Sequence, residues 1–342
     1  MSLTTSLVLL GVVVLLLVAL QGWWVARRAA PRRPLAGAGS AQRVEPALDD
    51  GQEPGAATEP ALRPAAARPP ARIDALIDVV VPLALDAPVS GDLVLAHLPA
   101  SHRVGSRQLR VEGLDAHSGD WVLPESGGRY SELQAAVQLA ARGGALNEIE
   151  YSEFVQTVQA FADATGAVAD FPDMLGVIAR ARELDAFAAP LDAVLTVTLR
   201  ANEVAWSVGF VQQCAQRLGF CAGTVAGRLV KPAAEDGAPP LLVLAFDPQA
   251  ALAEEGQGAA VRECTLALDV PQSPESAEPF PAWHDAARTL ADDMGATLVD
   301  DQGQPVTLHA FAAIGTELQR IYRELEAHDL AAGSATARRL FS

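Results

Sequence analysis

The chain has 342 residues and a net charge of -17, with 25 Lys and Arg set against 42 Asp and Glu. That length holds an anchor, a linker and one or two ordinary domains. The acidic body carries no basic patch with interleaved aromatics, which excludes nucleic acid as a partner.

Leu7 to Leu20 is apolar apart from Gly11, and no Lys or Arg precedes it. Trp23-Trp24 follows, and then Arg27, Arg28, Arg32 and Arg33. About 20 apolar residues, each rising about 1.5 Å, cross a hydrocarbon core of roughly 30 Å. Residues 1–25 are therefore predicted to be a single transmembrane anchor in an inner membrane. The Trp pair marks an interface, and the one-sided arginines place the N-terminus outside and the rest of the chain in the cytoplasm. A cleaved secretory signal would need positive charge before the run and a small-x-small site after it.

Residues 26–72 read as a disordered linker, with eight prolines among Ala, Gly, Arg and Glu and almost nothing to bury. As a random coil such a segment reaches on the order of 40 Å, and proline extends it further. From residue 73 the pattern becomes globular and occurs twice. Ile73–Val81 resembles Leu191–Leu199 at an offset of 118 residues, and Phe154–Ala167 resembles Trp283–Ala296 at an offset of 129. The same 129 relates Val137 to Leu266 and Leu139 to Leu268. Constant offsets over gap-free stretches predict a duplicated domain, with copies at 73–190 and 191–330 and a flexible tail at 331–342.

Each copy reads as β-α-β-β-β-α-β-α. In the second, strands are expected at Asp192–Arg200, Val225–Val230, Leu241–Phe246, Arg262–Val270 and Ala296–Val299. Helices are expected at Val208–Leu218, Trp283–Met294 and Leu308–His328. The predicted fold is an α/β (α+β) sandwich, a mostly antiparallel sheet with helices on one face. Alternation separates two faces. Leu195, Val197 and Leu199 join Cys264, Leu266, Leu268 and Val270 on the face suited to helices. Val194, Thr196 and Thr198 join Glu263, Thr265, Ala267 and Asp269 on a small, half-polar face left open.

No catalytic or cofactor motif stands out. There is no P-loop, no HExxH and no GxSxG, and Gly256-Gln257-Gly258 lacks the third glycine and preceding strand of a dinucleotide loop. The six histidines are scattered, and Asp292-Asp293 and Asp300-Asp301 read as solvated carboxylates at helix and turn ends. Cys214, Cys221 and Cys264 form no CxxC and read as small buried thiols in a reducing compartment. No cofactor, metal, small-molecule substrate or enzyme activity is expected.

An N-terminal span, a basic juxtamembrane stretch, a Pro-rich tether and a C-terminal α/β domain resemble the bacterial cell-division ZipA family. Ala291-Asp292-Asp293-Met294-Gly295-Ala296-Thr297-Leu298-Val299-Asp300-Asp301-Gln302 carries the strongest local likeness, followed by a terminal helix of the same type. The resemblance implies an inner-membrane tether that binds the C-terminal peptide of FtsZ, the tubulin-like GTPase of the division ring, on the open sheet face at the septum. Position by position it places Val194, Val225, Gly227, Val243, Ala245, Thr265 and Ala267 on that face, and the alternation adds Thr196. Two departures stand out. The family's groove carries bulky Met, Ile and Phe where these residues are small, and the family domain is single. The first copy's equivalent face, Asp78, Val80, Gln134, Ala136 and Gln138, is more polar, so the second copy is expected to bind the peptide. A membrane-tethered scaffold or regulator of envelope assembly with another protein partner is the competing class. Deleting Leu3–Val25 is expected to move the protein from the membrane to the soluble fraction in a flotation assay and to leave folding and peptide binding intact.

Overall fold

The computed structural model describes residues 72–252, 260–306 and 308–342. The expected anchor at 1–25 and all but the last residue of the expected linker lie outside them, and no described helix is long and apolar enough to cross a membrane.

In the first half, β1 (Asp78–Leu85), β2 (Val89–Ser90), α1 (Gly91–His97), β3 (Arg103–Val104), β4 (Arg107–Asp115), β5 (Trp121–Val122) and β6 (Arg129–Gln138) come first. They are followed by β7 (Ala140–Ala141), β8 (Gly144–Ala145), α2 (Glu148–Thr165), β9 (Ala167–Ala169) and α3 (Met174–Ala188). The main sheet runs β3-β4-β6-β1-β9 with antiparallel neighbours. Period-two alternation in β1 buries Val79, Val81 and Leu83 and turns Val80, Pro82 and Ala84 to the other face. Asn147 and Glu150 close a capping box at the start of α2, and Gly166 in the left-handed region ends it. Tyr151, Phe154, Val158 and Phe161 of α2 and Val177, Ile178 and Ala181 of α3 join the β1 valines in one core.

The second half contains β10 (Val194–Ala201), β11 (Trp206–Ser207), α4 (Val208–Arg217), β12 (Cys221–Ala222), β13 (Arg228–Lys231), β14 (Leu242–Ala245), α5 (Pro248–Leu252) and β15 (Ala260–Val261). After these come β16 (Glu263–Asp269), α6 (Pro279–Met294), β17 (Ala296–Val299), α7 (Leu308–Ala327) and α8 (Ala335–Leu340). Its sheet runs β12-β13-β14-β16-β10-β17, again antiparallel. The expected apolar face is the buried one: Val197, Leu199, Leu229, Leu242, Leu244, Cys264, Leu266 and Leu268 share a core with Trp283, Ala287 and Leu290 of α6 and with Leu318, Ile321 and Leu325 of α7. The Trp283 indole donates to the Leu266 carbonyl at 3.3 Å, which satisfies its polar tip inside that core. Helix α6 starts four residues earlier than expected because Pro279 and Pro281 fall in its first turn, where a missing N–H costs nothing.

The expected flexible tail at 331–342 is a correction. Residues 335–340 form α8, capped by the Ser334 hydroxyl, and Ala337, Leu340 and Phe341 are buried in the core of the second half together with Ile77 and Ala140 of the first. Arg339 donates from both terminal nitrogens to Asp78 at 2.9 and 2.5 Å, and the side chains involved are 9% and 0% exposed. Asp78 also accepts from the Asp74 N–H, Arg339 also donates to the Arg72 carbonyl, and the Gln138 amide donates to the Arg339 carbonyl. Gln272 of the second half donates to the carbonyls of Arg338 and Phe341. Removing one partner of a buried ion pair strands the other charge, which costs about 3–5 kcal/mol. Asp78→Ala is therefore expected to destabilise the protein by about 3–5 kcal/mol in urea unfolding. An unchanged midpoint would show that the pair contributes nothing net.

Candidate functional site

On the face of the second sheet opposite its core, backbone pairing lines up two rows. One runs Val230–Val243–Ala267–Thr196 and the other Arg228–Ala245–Thr265–Thr198. Val194 lies across from Asp269 at the end of the sheet. Thr196 and Val194 are exposed, and Val230, Val243, Ala245, Thr265, Ala267 and Thr198 are half-buried. The Thr198 and Thr265 hydroxyls face each other at 3.5 Å. Six of the expected positions, Val194, Thr196, Val243, Ala245, Thr265 and Ala267, are thus brought together on one face.

Val225 and Gly227 are not strand residues. The strand expected at Val225–Val230 begins at Arg228, and the preceding residues form a turn in which the Val225 carbonyl accepts from the Arg228 N–H. Val225 is 53% exposed on that turn. Gly227 has φ +75°, and a Cβ there would meet the Phe246 carbonyl oxygen at 2.5 Å, so only glycine fits beneath β14's exit. Starting the strand after this turn makes Arg228 and Val230 the outward residues, because shifting by one residue exchanges the faces. Val230, Arg228 and Thr198 were therefore missing from the expected set. Gly227 flanked by Ala226 is the signal that marks the turn.

Ion pairs stand at both ends of this face. Arg200 and Glu263 pair at 2.7 Å, both about half exposed, a contact worth at most about 1 kcal/mol. At the other end Arg142, from the turn between β7 and β8, forks onto Asp269 at 2.8 and 2.9 Å and onto Asp192 at 2.7 Å. Its pKa is raised by these hydrogen bonds, that to Asp269 first. Between the two margins lie mostly small aliphatic and threonine side chains, with the exposed Arg228 at the end of one row and the exposed Cys221 continuing the other. Such a surface can accept an apolar segment and a few hydrogen bonds. Asp300 is occupied in a turn, accepting from the Gln302 and Gln304 N–H groups at 3.0 and 2.7 Å, and Asp293 pairs with Arg217 at 3.2 Å. Among the described residues no group of three or more His, Cys, Asp or Glu could hold a metal ion.

Residues 251–317 match the family model for ZipA, C-terminal FtsZ-binding domain. No curated protein matches the chain. The ZipA-like segment runs from the end of α5 into α7, so it contains β16 and with it Thr265 and Ala267, while Val194, Thr196, Val243 and Ala245 pair onto β16 from strands outside the match. The cysteines correct one expectation. Cys214 and Cys264 are buried, but Cys221 is exposed on β12, where its thiol donates to the Val230 carbonyl at 3.4 Å beside the open face. Burial pushes the Cys264 thiol up to about 12, which leaves almost no thiolate at pH 8. A thiol-reactive dye at pH 8 is expected to label one cysteine per chain quickly and the other two only after unfolding. Fast labelling of Cys264 would contradict the placement of β16.

Proposed function

We propose that the chain binds FtsZ through the open face of its second sheet and holds it at the inner membrane of the division site through its N-terminal segment. The match of residues 251–317 to a family named for FtsZ binding carries this reading. It is supported by the geometry around that match, a sheet face of mostly small side chains centred on Ala267 and Thr265 and bounded at both ends by ion pairs. Tethering rests on the apolar run Leu7–Leu20 and the arginines after it, and reach on the proline-rich residues 26–72.

The two halves are read as tandem copies. The offsets of 118 and 129 residues carry the pair Val79–Val137 of the first sheet onto Val197–Leu266 of the second, and those two residues are themselves a β10–β16 pair. The central order β4-β6-β1-β9 corresponds to β14-β16-β10-β17. Phe154 and Trp283 are each fully buried at equivalent helix positions, and Gly166 and Gly295 close their helices with left-handed caps whose N–H groups donate to Ala162 and Ala291. Ser90 and Ser207 each cap the short helix that follows a two-residue strand.

Within that pair, the second copy is the binding one. The first copy's equivalent face is occupied at the Asp78–Gln138 end by Arg339, and its centre, Ala136, is fully buried. Burial of apolar area at about 25 cal/mol per Å² drives peptide docking on a neutral face, and a long cation placed in the middle removes that area and adds a desolvation cost. Ala267→Arg in the full-length chain is expected to weaken binding of an FtsZ C-terminal peptide at least tenfold in fluorescence anisotropy, about 1.4 kcal/mol or more. Ala84→Arg, on the exposed part of the first sheet's equivalent face, is expected to leave it unchanged. The reverse pattern would sink the assignment.

A further inference from the structure

We propose that the cleft between the first sheet and α8 is a second ligand site, built for a compact phosphorylated small molecule. The cleft encloses about 530 Å³, within the range of roughly 300–1,000 Å³ typical of small-molecule sites. Arg103, Arg107, Arg110, Arg338 and Arg339 line it, and among the described residues no Asp or Glu does. Five arginines thus border one cavity in a chain whose net charge is -17.

Three of these arginines have carboxylate partners outside the lining. Arg107 pairs with Glu150 at 3.2 Å, Arg338 with Glu235 at 3.1 Å and Arg339 with Asp78. These pairs hold three of the five guanidinium groups in place. Arg107 also donates to the Gln138 and Gly144 carbonyls, and Arg338 to the Gln272 carbonyl, so the two sit in rigid settings. Arg339 is 8% exposed, and its Nε has no hydrogen-bond partner among the described residues. A buried cationic donor without an acceptor is costly, and it leaves this wall of the cleft short of acceptors. Arg110 reports the same field. Its pKa is lowered by burial first and by the nearby Arg339 next, while Asp78 and Glu112 act in the opposite direction. Arginine forks match phosphate oxygens two at a time, which favours phosphoryl groups over a single carboxylate. The volume leaves room for more than one phosphoryl group. None of its lining residues belongs to the open face of the second sheet.

Isothermal titration of the full-length chain in detergent, with pyrophosphate and inorganic phosphate at matched ionic strength, tests the site. Pyrophosphate is expected to bind, and phosphate to bind more weakly. Arg103→Gln and Arg110→Gln, which leave the Asp78–Arg339 pair intact, are each expected to weaken pyrophosphate at least tenfold without changing affinity for the FtsZ peptide. Absence of binding by either phosphate would overturn the proposal, as would pyrophosphate affinity unchanged in both variants. Binding of an oligoglutamate peptide but of neither phosphate would overturn it in favour of an acidic protein segment.

Discussion

The buried pair of Asp78 and Arg339 is the contact on which the arrangement of the folded region depends. It joins the first residue of β1 to the penultimate residue of α8, 261 positions apart in the chain. An isolated arginine would not remain in so dry a place, since the desolvation cost exceeds what one contact returns. Here both terminal nitrogens are used, the carboxylate takes a further N–H from Asp74, and the guanidinium reaches the Arg72 carbonyl. With Arg339 held, Leu340 and Phe341 enter the core of the second half beside Ile77 and Ala140 of the first. Two residues of the first half thus sit in the core of the second, and the segment that closes that core also covers part of the first sheet.

That coverage gives two similar sheets different surfaces. On each, one face is committed to helices by the alternation of valine and leucine with smaller or polar residues. The other face of the first sheet meets Arg339 and Arg110, while the other face of the second meets no described element over Thr196, Ala267 and Val243. An uncovered sheet face of mostly small residues suits an apolar segment of another protein, and an arginine-lined cleft suits an anion.

Local pattern made much of this legible. The faces of β10 and β16 followed from period two. The end of α6 followed from Gly295. What escaped was set by turn geometry or by distant partners. The strand at Arg228–Lys231 was read three residues early because Val225 looks like a strand residue, and Gly227's positive φ is visible only once Phe246 packs on it. Helix α8 was read as a tail because Ala335–Leu340 is short and carries two adjacent arginines. Their burial depends on Asp78 and Glu235, which local sequence does not reveal. Cys221 looked like its buried neighbours because apolar surroundings in sequence do not show that β12 is a sheet edge.

The central claim is that the second sheet, and not the first, offers its open face to FtsZ. The most direct measurement is amide hydrogen exchange of the full-length chain with and without an FtsZ C-terminal peptide. The account predicts added protection confined to β10, β13, β14 and β16, around Thr196, Val230, Val243 and Ala267, with β1 and β6 unchanged. Protection appearing in β1 and β6, accompanied by release of α8, would contradict it.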